Sequence, residues 1–266
     1  MKLKQTLLLA SVLILTVIIG YSSYRLWYIY SHRAGEQELR TQMLIYRPEM
    51  PPERQQTTDD SNTTLSPVQQ RPSVASINYE PVVNQSIINL RDSHPSALGW
   101  ISIPNTGVDH PFVQGRDNVF YLHRDINHNH SPSGTVFMDR RNSSDFSDFH
   151  TLIYGHNMRN GAMFGSLVEF NNRQFFDDNT IGYIFLPYHT YVIEFFAFAI
   201  IEPDDPVFYG LWQYELQERV DFLTYVRRNS LHHRDINISG LDNFVTLSTC
   251  RNDAANSRMV LVGVLR

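Results

Sequence analysis

The chain has 266 residues, 42% of them apolar and 12% aromatic, enough for one ordinary domain with a real core and further segments beside it. A net charge of −5 lacks the basic footprint of a nucleic-acid-binding protein, so no nucleic-acid partner is expected. The single cysteine, Cys250, excludes a disulfide within the chain; it reads either as a small buried hydrophobe or as a reactive thiol.

In chain order, Lys2 and Lys4 precede an apolar run. Residues 7–30 make 24 positions with one charge, Arg25. About 20 mostly apolar residues suffice to cross a bilayer as a helix. Arg25 lies near the end of the run, where its side chain can snorkel, and Trp27, Tyr28 and Tyr30 suit an interface. The alternative is a cleaved signal peptide, but the run is long for one and no A-x-A site follows it. The expectation is a cytoplasmic tail at 1–6 and an uncleaved transmembrane signal anchor at 7–30. Lys2, Lys4 and the α-amine favour that orientation, while Arg25 and Arg33 count against it. Residues 35–47 read as a short helix. From 48 to 76, five prolines stand among Gln, Thr, Ser and Asp with little to bury. This reads as a disordered stalk that holds a domain away from the membrane. Residues 31–77 are therefore a juxtamembrane helix and Pro/Gln/Thr-rich linker, and 78–266 the folded domain.

Within that domain a helix is predicted over 82–91, with Val82, Val83, Ile87, Ile88 and Leu90 as its apolar side. Strands are predicted over 99–103, 108–113, 134–138, 151–154, 182–186, 190–201, 244–250 and 258–265. They are short, rich in β-branched and aromatic residues, and bounded by turn residues. Helices are predicted over 162–170 and 211–229, the longer one with Leu211, Leu216, Val220, Leu223 and Val226 at three- and four-residue spacings. This mainly β pattern, eight strands with few helices, suggests a closed or nearly closed β-barrel.

Side chains alternate along a strand, so Val245 and Leu247 point to the core while Thr246, Ser248 and Cys250 take the other, polar side. Arg258 heads the next strand. If the two pair, about 4.8 Å apart, Cys250 and Arg258 share one rim. A guanidinium there favours a thiolate and can hydrogen-bond a developing oxyanion; taken alone, Arg258 reads as a solvated strand-end charge. A cysteine nucleophile also needs an acid/base partner. Among eleven histidines, His156 stands out, because it leaves a strand end in Tyr154-Gly155-His156 and enters a loop with Asn160-Gly161. His123, His128 and His130 cluster too, but no acidic or cysteine ligand sits at a familiar spacing, and neither a metal nor another cofactor is expected. His94 and His150 read as loop residues, and His232-His233 as surface.

These residues resemble the sortases. Thr246-Leu247-Ser248-Thr249-Cys250 is similar to the family's TLxTC signature, Arg258 to its essential arginine, and Tyr154-Gly155-His156 to its histidine motif, in the same chain order. Gly99-Trp100-Ile101-Ser102-Ile103-Pro104-Asn105-Thr106 resembles the opening strand. Gln114-Gly115-Arg116-Asp117-Asn118, Gly134-Thr135-Val136-Phe137-Met138-Asp139 with Arg141-Asn142, and Met163-Phe164-Gly165 resemble class B sortases in particular. The likeness covers about 79–266.

It implies an eight-stranded barrel in a single-pass type II membrane protein on the outer face of a Gram-positive cell. It also implies a cysteine transpeptidase that cuts a C-terminal sorting motif after Thr and forms a thioacyl intermediate on Cys250. The acyl group then passes to an amine of a cell-wall precursor or a pilin lysine. By the same likeness His156 is the general acid and base, and Arg258 stabilises the oxyanion. Asn118, Leu122, Tyr154, Phe208, Tyr209 and Ser248 would line the substrate groove. Pro203-Asp204-Asp205-Pro206 and Arg251 depart from the family pattern, which leaves the sorting sequence open. An NlpC/P60-like peptidase of cell-wall turnover would place its cysteine before its histidine and start a helix with it. A surface-anchored binding module without catalysis fits the anchor, stalk and β-domain equally well.

Overall fold

The structure, a computed structural model, describes residues 2–51, 83–211, 215–250 and 257–266. Among the described residues nine strands form: β1 (Ala97–Ser102), β2 (Asp109–Gln114), β3 (Val136–Met138), β4 (His150–Tyr154), β5 (Ile181–Leu186), β6 (His189–Ile201), β7 (His232–His233), β8 (Phe244–Cys250) and β9 (Arg258–Leu265). Their order is β5-β1-β2-β3-β4-β8-β9-β6, and pairing of β5 with β6 closes eight of them into the expected barrel. The two-residue β7 is an addition at the edge of β6, formed by the histidine pair read as surface. β2–β3 and β4–β8 are parallel; every other pairing is antiparallel.

Both faces of the barrel wall carry apolar side chains because both are covered. Ile101, Phe112, Ile153, Phe195, Val245 and Leu247 fill the interior. Outside, Phe196, Phe244, Val260 and Val262 lie under α5 (Leu216–Asn229), which contributes Phe222, Leu223 and Val226. On another side Trp100, Val113, Phe137 and Phe185 lie under α2 (Gln85–Ser93), which contributes Ile87 and Leu90. The alternation of 245–250 therefore separates two buried layers: Thr246 and Ser248 are buried as well, not solvated. α5 starts five residues later than predicted, after a capping box in which Glu215 and Glu218 exchange side-chain and backbone hydrogen bonds; residues 212–214 lie outside the described residues.

Three expectations are corrected. The stretch 162–170 is not an α-helix. A 3₁₀ helix, Gly165–Asn171, forms there, after which Asn172 accepts from the Phe175 amide and starts α3 (Arg173–Asp178). A second unpredicted helix, α4 (Pro206–Tyr209), starts where Asp205 accepts from the amides of Val207 and Phe208, with Pro206 in the first turn. Third, the apolar run and the short helix after it are one element, α1 (Lys2–Met43), followed by a 3₁₀ turn at Leu44–Tyr46. No proline interrupts them, and the one glycine between them, Gly35, costs a helix only about 1 kcal/mol.

Between Leu9 and Tyr28, α1 is long and apolar enough to cross a membrane. Its far end docks on the barrel. Met43 is buried in the cluster beneath α2. Arg47 Nε lies 2.8 Å from Asp109 Oδ2, and Tyr46 donates to Ser93 Oγ at 3.0 Å. The chain is pinned again at Asn84, whose amide donates to the Pro187 carbonyl at 2.8 Å and whose side chain donates to the Leu186 carbonyl at 2.5 Å. Residues 52–82, with most of the proposed stalk and the expected domain start at 78, lie outside the described residues. The described flanks of that segment, residues 43–47 on one side and Asn84 on the other, both contact the folded domain.

Candidate active site

The parallel register of β4 and β8 sets the site. Tyr154 pairs with Ser248, and the Gly155 amide continues the ladder to the Ser248 carbonyl at 3.2 Å. His156 lies two residues past Tyr154, and Cys250 two past Ser248, so both strands run out at the same rim. β9 begins there too, with Cys250 paired to Arg258. The link 251–256 lies outside the described residues. Gly155 permits a close approach: a Cβ would sit 2.6 Å from the Phe164 ring, which wedges beneath the turn into His156.

His156 is half-buried, and its Nε2 lies 2.7 Å from the Leu122 carbonyl oxygen. A carbonyl only accepts, so Nε2 carries hydrogen and Nδ1 is left for other work. The His123 ring packs beside it, centroids 6.2 Å apart, while His128 meets the Tyr121 hydroxyl instead at 3.1 Å. Arg258 is half-buried, with Nη1 3.4 Å from the Ser257 carbonyl.

Of the residues expected to line a groove, four interlock. Tyr209 and Ser248 share a hydroxyl–hydroxyl hydrogen bond of 2.8 Å. The Tyr154 and Tyr209 rings stack at 6.3 Å and 16°. Tyr154 and Asn118 both donate to Asp139 Oδ2, at 2.9 and 2.8 Å. Leu122 is part-buried at the end of a 3₁₀ turn, Phe120–Leu122, and offers its carbonyl to His156. Phe208 is corrected: it is fully buried in the layer under α5, against Phe222 and Tyr225, and faces no groove. The Asp205 cap turns it inward while its neighbour Tyr209 turns to Ser248.

Asp139 stands in the stretch that resembles class B sortases, but nothing in the sequence assigned it a role of its own. It is fully buried, and Arg141 grips it through backbone N, Nε and Nη2 at 2.8–2.9 Å. Burial alone would raise its carboxyl; the hydrogen bonds from Arg141 and Tyr154 outweigh that and hold it below the usual range. Burial and the adjacent Asp139 charge raise the Tyr154 phenol, so it stays protonated as a donor. The signal was a polar Asp139-Arg140-Arg141-Asn142 directly after a strand. His150 is a further correction. It lies in β4 and not in a loop, buried with Nε2 2.7 Å from Thr246 Oγ1. A cavity of about 750 Å³ opens elsewhere, between the end of α1 and the loop after His156. Glu36, Trp100, His110 and Arg159 line it, and none of the candidate residues does.

A thiol-bearing residue, an imidazole and a guanidinium at one rim, beside a wall of tyrosines, is a set suited to acyl transfer through a thioester. No family model matches the chain. It is 31% identical over 194 residues to sortase B of Listeria monocytogenes, a match spanning 72% of this chain and 78% of that protein. The structure of Clostridium perfringens sortase B matches with a TM-score of 0.64 at 32% identity, covering 67% of this chain and 98% of that one. A Streptococcus pyogenes class B sortase involved in pilus biogenesis matches with a TM-score of 0.63 at 28% identity, covering 67% and 97%. The chain belongs to the class B sortases, a family of transpeptidases.

Proposed function

We propose that the protein is a cell-surface transpeptidase that cleaves a C-terminal sorting motif after Thr and transfers the acyl fragment to an amine. Cys250 sulfur, as thiolate, attacks the threonyl carbonyl carbon. The developing oxyanion is stabilised by Arg258. The C–N bond breaks, and the leaving amine takes a proton from His156, leaving a thioester on Cys250. The acceptor amine gives a proton back to His156 as it attacks, and the thiolate departs. The observation that carries this reading is the common end of β4 and β8, with Arg258 opening β9 beside Cys250. The Nε2 contact with the Leu122 carbonyl supports Nδ1 as the nitrogen that exchanges these protons, and the same carbonyl stabilises the imidazolium.

Asn118, Leu122, Tyr154, Tyr209 and Ser248 form the groove. The acceptor is a cell-wall precursor or a pilin lysine; the likeness to the S. pyogenes pilus enzyme supports the second. Residues 7–30 anchor the chain as a type II membrane protein of a Gram-positive cell, with the domain from 78 onward outside. The test incubates the full chain in detergent micelles with fluorogenic peptides, fixing Thr before the scissile bond, and with an added amine. Mass spectrometry is expected to find the amine joined to the Thr-terminated fragment, with nothing from Cys250→Ala and about 10²–10³-fold slower turnover from Arg258→Ala. Hydrolysis with no amine adduct would indicate a peptidase, and no cleavage at all a binding module.

A further inference from the structure

Among the described residues, Asp139 and Arg141 hydrogen-bond neither His156 nor Arg258, yet they hold most of the groove together. Asp139 Oδ2 receives Asn118 Nδ2, the Tyr154 hydroxyl and Arg141 Nη2, and Oδ1 receives the Arg141 amide and Nε. Asn118 is fixed at its other end as well, where Oδ1 accepts from the Arg140 amide at 2.8 Å. Arg141 Nη2 also donates to the Tyr209 carbonyl at 3.0 Å. That bond crosses from the loop after β3 to the segment ahead of α5, and through Tyr209 it reaches Ser248 on the strand of Cys250.

A carboxylate buried this fully is tolerated only when its lone pairs are satisfied, so its demand fixes the rotamers of its donors. A guanidinium fork, unlike an ammonium, serves two acceptors at set angles. The Asp139 side chain is fully buried while that of Arg141 is 40% exposed, so the arginine is the part that can be removed without leaving a dry hole.

We propose that Asp139 and Arg141 are positioning residues that clamp the Asn118–Tyr154–Tyr209 wall against β8 and thereby set which residues are accepted just before the threonine. Ser248 precedes Cys250 by two residues, about 6.6 Å along a strand. A peptide lying extended beside β8, with its threonyl carbonyl at Cys250, therefore presents the residues one and two positions before its threonine to the Tyr209–Ser248 pair.

The inference rests on the sortase reading above, and the experiment separates the two. The full chain is assayed on fluorogenic peptides with Thr fixed and the three preceding residues randomised, and selectivity is read as the ratio of kcat/KM between peptides. Arg141→Ala is expected to lower the selectivity ratio at the two positions before Thr about tenfold, with KM for the best peptide rising more than kcat falls. Arg141→Lys should recover only part of it, since the fork is lost. Asp139→Asn should behave as Arg141→Ala if it folds; Arg141→Ala decides the matter if it does not. Equal slowing on every peptide, with the wild-type ratio kept, would overturn the clamp and leave the sortase reading standing. No cleavage by the wild-type chain would overturn both.

Discussion

Asp139 and His150 are both buried polar groups beside β4, and they meet burial in opposite ways. Asp139 keeps its charge because Arg141, Tyr154 and Asn118 are all turned toward it. Among the described residues the His150 ring hydrogen-bonds Thr246 alone, and it sits 4.6 Å from the Phe222 ring; burial pushes its pKa down to about 3, and it remains neutral. The difference is one of supply: a charge persists in this interior where several donors converge on it, and is given up where a helix simply covers the group.

Removing the cover is the strongest way to break that contrast. Phe222→Ala should cost about 3–5 kcal/mol in urea unfolding, because the ring is fully enclosed between Phe149, Phe208 and Phe244. The same variant should raise the His150 pKa from about 3 toward 6.5, read by NMR titration; an unmoved pKa would mean burial is not what depresses it. Asp139→Ala comes next, at about 2–3 kcal/mol, since Tyr154 and Asn118 lose their acceptor while the half-exposed Arg141 regains water.

Acid sharpens the comparison further. His110, held near 4 first by burial and then by the Arg40 charge, joins His150 as a group whose folded pKa lies below its unfolded value. The unfolded chain therefore binds more protons, and stability falls as pH drops from about 6.5 toward 4, at up to about 1.4 kcal/mol per pH unit for each histidine. The Asp139 carboxyl is also lowered, but its contribution is intact above about 3.9 and is lost only below that. Denaturation across pH 7 to 3 should show the histidine loss first; a flat profile from 6.5 to 4.5 contradicts it. The smallest effect belongs to the exposed latch, where Arg47→Ala should cost less than about 1 kcal/mol despite its 2.8 Å contact with Asp109.

What could be read in advance follows the reach of each signal. Strand alternation is local, so the strands of the barrel, and the pairing of Cys250 with Arg258, were accessible from residue order. Which face of a strand is covered is decided by remote elements. Thr246 and Ser248 read as a polar side, but α5 and the Tyr209 segment close over it. Phe208 and Tyr209 are adjacent, and only the short α4 turn, capped by Asp205, sends one inward and the other to the groove. Asp139 lies within a class B-like stretch, but its role arises from donors 21, 2 and 15 positions away in sequence, which that stretch does not reveal.

The attachment of α1 at Met43 and Arg47, and of the returning chain at Asn84, changes what governs reach. If residues 7–30 anchor the chain as proposed, the path from the membrane to the barrel runs along α1 to Met43 and Arg47, which already meet the barrel before residue 52. The height of the rim above such an anchor would then be the length of a rod: from Tyr28 to Met43, fifteen residues at 1.5 Å each, about 22 Å. Four added helical residues would lift the rim by about 6 Å and also swivel it by about 40° about the rod, because they overshoot a full turn of 3.6.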